Sequence, residues 1–119
     1  MVKKSLAAAE ALAKEGISVE VVDPRSLAPL DVETIVKSVK KTGKLVLVDQ
    51  APRHSSAAAI IAAEVAEHGF EHLRAPITMV TALDTSIPYS EPLEEYVLPN
   101  EEKIIKAVKA VMAKQAVAA

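Results

Sequence analysis

Apolar and polar positions along this chain alternate between two kinds of run, and their order predicts an architecture. Over residues 3 to 15, KKSLAAAEALAKE, Leu6, Ala9, Leu12 and Ala13 recur at helical spacing as one apolar face. Strong helix formers fill the remaining positions and Gly16 supplies the stop, so the chain is expected to open on a helix. Val19, Val21 and Val22 are β-branched and suit a pleated surface, and Pro24, which has no ladder donor, ends that run. A strand is therefore predicted up to Asp23. Pro29 turns the chain, and Asp31 is placed to cap a helix by accepting from the amide of Glu33 or Thr34. Ile35, Val36 and Val39 give that helix, which reaches about Lys41, an apolar stripe.

Leu45-Val46-Leu47-Val48 is apolar at every position, the pattern of a parallel strand covered on both faces, and Asp49 closes it. Gln50 to Ser56 reads as a loop leading to an Ala-rich helix from about Ser56 to His68, capped by Ser55 or Ser56 and stopped at Gly69. Ile77-Thr78-Met79-Val80 reads as a further strand. Ala82 to Pro99 holds three prolines and no period, so an ordered surface loop is expected there. Asn100 then caps a last helix, with Glu101 and Glu102 at its positive end, Ile104, Ile105, Val108 and Val111 facing inward, and Ala113 to Ala119 expected to fray. Short strands alternating with helices predict an α/β fold. Its expected form is three layers, α/β/α, with helices on both faces of a small, mostly parallel sheet.

The 119 residues suit one domain, 1–119, and their aromatic side chains are only Phe70, Tyr89 and Tyr96, so the core must come from Val, Ile, Leu and Ala. Against 16 acidic side chains stand 14 basic ones, a net charge of −2 with no basic stripe, which argues against nucleic acid as a partner. Apolar runs fall short of the ~18 residues a membrane span needs, and Met1 to Ser5 lacks the apolar region of a signal peptide. A cytoplasmic chain without a membrane partner is expected. Cysteine is absent, which removes disulfides and thiolate chemistry.

Arg53 and His54 follow the carboxyl end of the predicted central strand, where open α/β sheets bind ligands. An arginine there can clamp a carboxylate or phosphate with help from the helix N-terminus at Ser56; the plainer reading is a polar loop that caps a helix. His68 and His72 have the spacing of two metal ligands on one helical face, but Gly69 breaks the helix between them and no third ligand follows. Glu91, Glu94 and Glu95 cluster in the proline-bounded loop, where a solvated acidic surface explains them more simply than paired acid and base roles. Lys37, Lys40, Lys41 and Lys44 gather at a helix end whose dipole favours cations. Only Gly16, Gly43 and Gly69 are available, each at an element boundary, so no glycine-rich phosphate loop is written here.

An ordered set of short motifs carries a family resemblance. Asp23-Pro24-Arg25-Ser26-Leu27 with Pro29-Leu30-Asp31 and Glu33-Thr34-Ile35 resembles the opening of the C-terminal domain of transketolase-type thiamine diphosphate enzymes. Thr42-Gly43-Lys44-Leu45-Val46-Leu47-Val48, Ala75-Pro76-Ile77, Asp84-Thr85 through Ile87-Pro88-Tyr89, and Leu98-Pro99-Asn100 continue the likeness in order. The greatest similarity is to the beta subunit of the decarboxylating component of 2-oxo acid dehydrogenase complexes, the pyruvate, branched-chain and acetoin group. The resemblance implies a domain that is non-catalytic alone and binds no cofactor, with thiamine diphosphate and magnesium held by other domains of the parent enzyme. It implies an alpha subunit and a second beta subunit as partners, and docking to the acyltransferase core.

Two departures from the family stand out. The family has a strand and a tight turn before the first helix, where this sequence has Met1, so the first strand is expected to be missing. In several beta subunits of this type the residue just before the Ala-Pro junction is acidic and pairs with a basic side chain of the acyltransferase's peripheral subunit-binding domain. Here that position is Arg74. The rival reading is a stand-alone doubly wound module that binds a small anionic ligand near Arg53, and it predicts a closed sheet without an exposed apolar edge.

Overall fold

In the computed structural model, residues 1–114 are described; the fraying expected of the tail past Lys114 lies outside them. Five α-helices and two strands follow one another: α1 (Val2–Lys14), α2 (Val32–Thr42), β1 (Val46–Pro52), α3 (Ala57–Gly69), β2 (Thr78–Ala82), α4 (Glu91–Val97) and α5 (Glu101–Ala113), with single 3-10 turns at Arg53–Ser55 and Phe70–His72.

The helix boundaries follow from local chemistry. Past α1 the chain closes a Schellman motif: the amide of Gly16 donates to Ala13 and that of Ile17 to Leu12, with Gly16 at φ 80°. On α2, Asp31 accepts from the Thr34 amide at 3.0 Å and from its hydroxyl at 2.7 Å, and the helix ends at Gly43, φ 73°. Ser56 caps α3 by accepting from Ala58, and Asn100 caps α5 by accepting from Lys103. All three side-chain caps stand where the polar positions preceding each apolar stripe placed them.

β1 and β2 pair in parallel, Val46 with Thr78, Leu47 with Met79 and Val48 with Val80; after an irregularity Pro52 stands opposite Ala82. Successive side chains point to opposite faces, which builds two cores. Leu47, with Leu45, Ile77 and Met79, packs against Ile35 and Val39 of α2 and Ala58, Ile61 and Val65 of α3. Val46, Val48 and Val80 pack on the other face against Ala8 of α1 and Ile104 and Val108 of α5. The result is the expected three-layer arrangement, α1 and α5 over one face of the sheet and α2 and α3 over the other.

Three expectations are corrected. Val19 to Asp23 forms no strand: the run lies outside the ladder, and the sheet has two strands. Strand propensity alone cannot form a strand without an adjacent edge, and these residues face a groove instead of β1. The inner face of α1 carries Ala8 and Leu12, while Leu6 is exposed. Residues 91 to 97, expected to be loop, form α4, whose second position is Pro92. Proline at the start of a helix gives up an amide that has no partner in any case, so a short helix starts where a breaker was inferred.

Candidate functional site

Crossover connections place the loops after β1 and β2 at the same end of the sheet. The 3-10 turn Arg53–Ser55 follows β1, and Asp84 follows β2. His54 Nδ1 lies 3.4 Å from Asp84 Oδ1, both largely exposed. The structure thus gives His54 a carboxylate neighbour that the sequence alone does not point to, since 30 positions separate the two and their meeting depends on the parallel register. Arg53 is exposed and has no ion pair among the described residues. An anion at this end would meet the Arg53 guanidinium and the His54 ring but also the charge of Asp84, so the clamp sets one fixed cation beside a repulsive carboxylate.

Directly beneath, Asp49 organises the loop. Ser56 Oγ donates to its Oδ2 and the amide of Ala51 to its Oδ1 at 3.2 Å, while the same Ser56 caps α3. Burial pushes the Asp49 carboxyl up, but the hydrogen bonds from Ser56 and from the amides of Ala51, Ala58 and Gln50 outweigh it and hold the group below its ordinary value. Asp49 fixes the direction in which β1 hands the chain to α3, and with it the placement of Arg53 and His54.

Arg74 stands on another corner. Its amide donates to the Gly43 carbonyl at 2.7 Å, and its side chain lies across Gly43, where an added Cβ would meet Arg74 Cδ at 2.8 Å. The stem covers the end of α2, which carries Lys40 and Lys41 in its last turn. Lys41 is turned away into a 2.7 Å pair with Glu20. Arg74 is exposed and without an ion pair among the described residues, so this corner presents unneutralised positive charge.

The remaining candidates stay apart. His68 pairs with Glu64 one turn back at 3.4 Å, and His72 sits beside Glu71 at 3.5 Å, so the two histidines face different carboxylates. Among the described residues no group of three or more His, Asp or Glu could hold a metal ion. Glu91, Glu94 and Glu95 are exposed on α4. Gly16 and Gly43 end helices and Gly69 packs against Val36, so none opens a helix N-terminus toward a phosphate.

What the surface does display is apolar. From Leu83 through Tyr96 the chain exposes Leu83, Ile87, Leu93 and Tyr96, and Tyr89 is 104% exposed. Lys103 fastens the end of this segment: its Nζ donates to the carbonyls of Leu98 at 2.7 Å and Tyr96, and sits 5.7 Å from the Tyr96 ring centre. No helix among the described residues is long and apolar enough to cross a membrane.

Known proteins agree with this layout. The pyruvate dehydrogenase E1 component subunit beta of Staphylococcus epidermidis is 46% identical over 112 residues, which is 94% of this chain and 34% of that subunit. The beta subunit of acetoin:2,6-dichlorophenolindophenol oxidoreductase from Cupriavidus necator is 44% identical over 112 residues, 94% of this chain and 33% of that one. Among solved structures, a split-gene transketolase described as an inactive beta4 tetramer superposes with a TM-score of 0.80 at 27% identity over 96% of this chain and 36% of its own. The chain therefore spans about a third of the length of the relatives it matches. With residues 1–104 matched to the transketolase C-terminal domain, the chain belongs to that family.

Proposed function

We propose that this chain serves as the C-terminal domain of the beta subunit of a thiamine-diphosphate-dependent 2-oxo acid dehydrogenase, holding subunits together and docking the acyltransferase core rather than performing chemistry. The observation that carries the reading is the exposed apolar run from Leu83 to Tyr96, which costs hydration in a free domain and is recovered at an interface. Relatives named as beta subunits support the parent enzyme, and a beta4 assembly described as inactive supports beta–beta contact without activity. The partners in this reading are an alpha subunit, a second beta subunit and the acyltransferase, whose peripheral subunit-binding domain docks away from Arg74 or carries an acid opposite it. Thiamine diphosphate and magnesium belong to the other domains. The rival module, binding a small anion at Arg53 and His54, is disfavoured by the carboxylate of Asp84 at that site and by the open apolar edge of β1.

Docking is tested at Arg74. Two like charges about 4 Å apart near a surface repel by up to roughly 4 kcal/mol before screening. A basic binding domain of the pyruvate dehydrogenase kind is therefore turned away by this corner, and Arg74→Asp gains affinity for it. Surface plasmon resonance on both forms at low and physiological salt decides the point. Tight binding by the unmutated chain, or no gain on substitution, would show that Arg74 does not choose the partner.

A further inference from the structure

α3 is apolar on two opposite sides. Ala58, Ile61, Val65 and Gly69 are buried inward. Outward stand Ala59, Ile60, Ala63 and Ala66, all exposed, and Phe70, whose helical backbone carries the same face one residue past the helix. Ile60 is 61% exposed and Phe70 70%. The neighbouring α2 shows the ordinary alternative, with Glu33, Thr34, Lys37 and Lys40 on its exposed side. A helix that is apolar all round belongs in an environment that covers it all round, and within this chain α3 is covered on one side only.

The charges at the two ends of this face say what covers it. Arg53 and His54 stand in the turn before α3, and Glu67 and Glu71 at its far end, all exposed. Arg53 and Glu67 take part in no ion pair among the described residues. Glu64, Glu67 and Glu71 beside the face oppose an anionic lipid surface, and a convex helix offers no cavity to a small molecule. Another helix fits, and alanines at Ala59, Ala63 and Ala66 let it approach closely. A second α3 laid parallel would set Phe70 on Phe70, Glu67 on Glu67 and Arg53 on Arg53. Laid antiparallel about Ala63, it brings Ala59 to Ala66, rests Ile60 on the stem of Glu67, places Phe70 over the small side chains at the start of the helix, and faces Arg53 with the glutamates of the other copy.

We propose that the outer face of α3 is a two-fold contact between two copies of this chain, antiparallel and centred on Ala63. Such a contact is isologous, so each element of the match occurs twice. One helix pair lies at the small end of protein interfaces, and the free chain is expected to dimerise weakly, with Kd between micromolar and millimolar. The second copy rests on the proposed function and deepens it, but the face is not the Leu83 to Tyr96 run, so either contact can fail alone.

The chain has no cysteine, which makes single cysteines clean probes. Helix axes about 8 Å apart bring the two Ala63 Cα atoms within reach of a disulfide. Under mild oxidation Ala63→Cys is expected to form a covalent dimer. Ala59→Cys and Ala66→Cys chains are each expected to stay monomeric alone and to couple with one another when mixed. In sedimentation, Ala63→Glu, a helix former at an exposed position, is expected to keep the fold and raise Kd at least about tenfold. Self-coupling of Ala59→Cys as fast as that of Ala63→Cys would mean parallel or random contact and overturn the proposal. So would an unchanged Kd in Ala63→Glu. Loss of association on Ile87→Ser, Tyr89→Ser and Leu93→Ser together, with none on Ala63→Glu, would reject this face and leave the proposed function standing.

Discussion

Gly43 is the residue at which two features of the chain meet. It holds φ 73° to end α2, and its carbonyl and Cα face receive Arg74. An alanine there meets Arg74 only at the far end of a flexible side chain, so the backbone conformation dominates the cost. Gly43→Ala is expected to destabilise by about 1 kcal/mol, or about 4 °C in Tm, and Arg74→Ala in the same chain to restore little of it, as thermal unfolding of the three variants would reveal. Asp49 is the second such residue. Its depressed carboxyl contributes stability above its ordinary value of 3.8 that is lost as the pH falls through the lower folded-state value. Asp49→Asn is expected to cost about 1–2 kcal/mol at neutral pH and to flatten the acid limb of the stability profile below about pH 4, since one acceptor is replaced by a donor facing Ser56. Denaturant unfolding from pH 2 to 7 checks both. Caps such as Asp31, Ser56 and Asn100 were legible in the sequence because donor and acceptor lie within three residues. His54 with Asp84 was not, because nothing local brings them together.

Among elements, α4 shows where pattern reading stops. It has seven residues, too few for a period to declare itself, and its proline is also a loop signal. What holds its end is Lys103 from α5, whose ammonium gathers the carbonyls of Glu95, Tyr96 and Leu98 where the helix dipole is negative. Lys103→Met is expected to quicken amide exchange in α4 severalfold while α2 and α3 keep their protection, with a global loss of about 1 kcal/mol. Equal loosening of all the helices would show that Lys103 acts on the fold as a whole. The run at Val19 to Val22 is the opposite case. Its composition is that of a strand, and what it lacks is an edge to join; pairing belongs to two elements and propensity to one. Its β-branched residues predicted a strand up to Asp23, and the ladder of a strand does not form there; the run lines a groove beside β1 instead.

At the scale of the whole molecule, the layers were readable because β1 opens on residues apolar at every position, which requires cover on both faces, and the structure supplies it with two separate cores. The surface was less readable: Ile87, Tyr89, Leu93 and Tyr96 looked like parts of a loop, and only the fold shows them turned outward on one segment. Beside the outer face of α3, two features favour association, this segment and the open edge of β1, and all are separable. Sedimentation at rising concentration is expected to show dimers or larger species. Replacing Ile87, Tyr89 and Leu93 together by serine removes the apolar segment without touching the core, because all three are exposed, so the fold should persist. If the segment is the contact, the triple variant stays monomeric at concentrations where the parent associates; if the edge of β1 or the outer face of α3 is the contact, the variant associates as before. A parent chain that remains a monomer at high concentration would count against a role in holding subunits together.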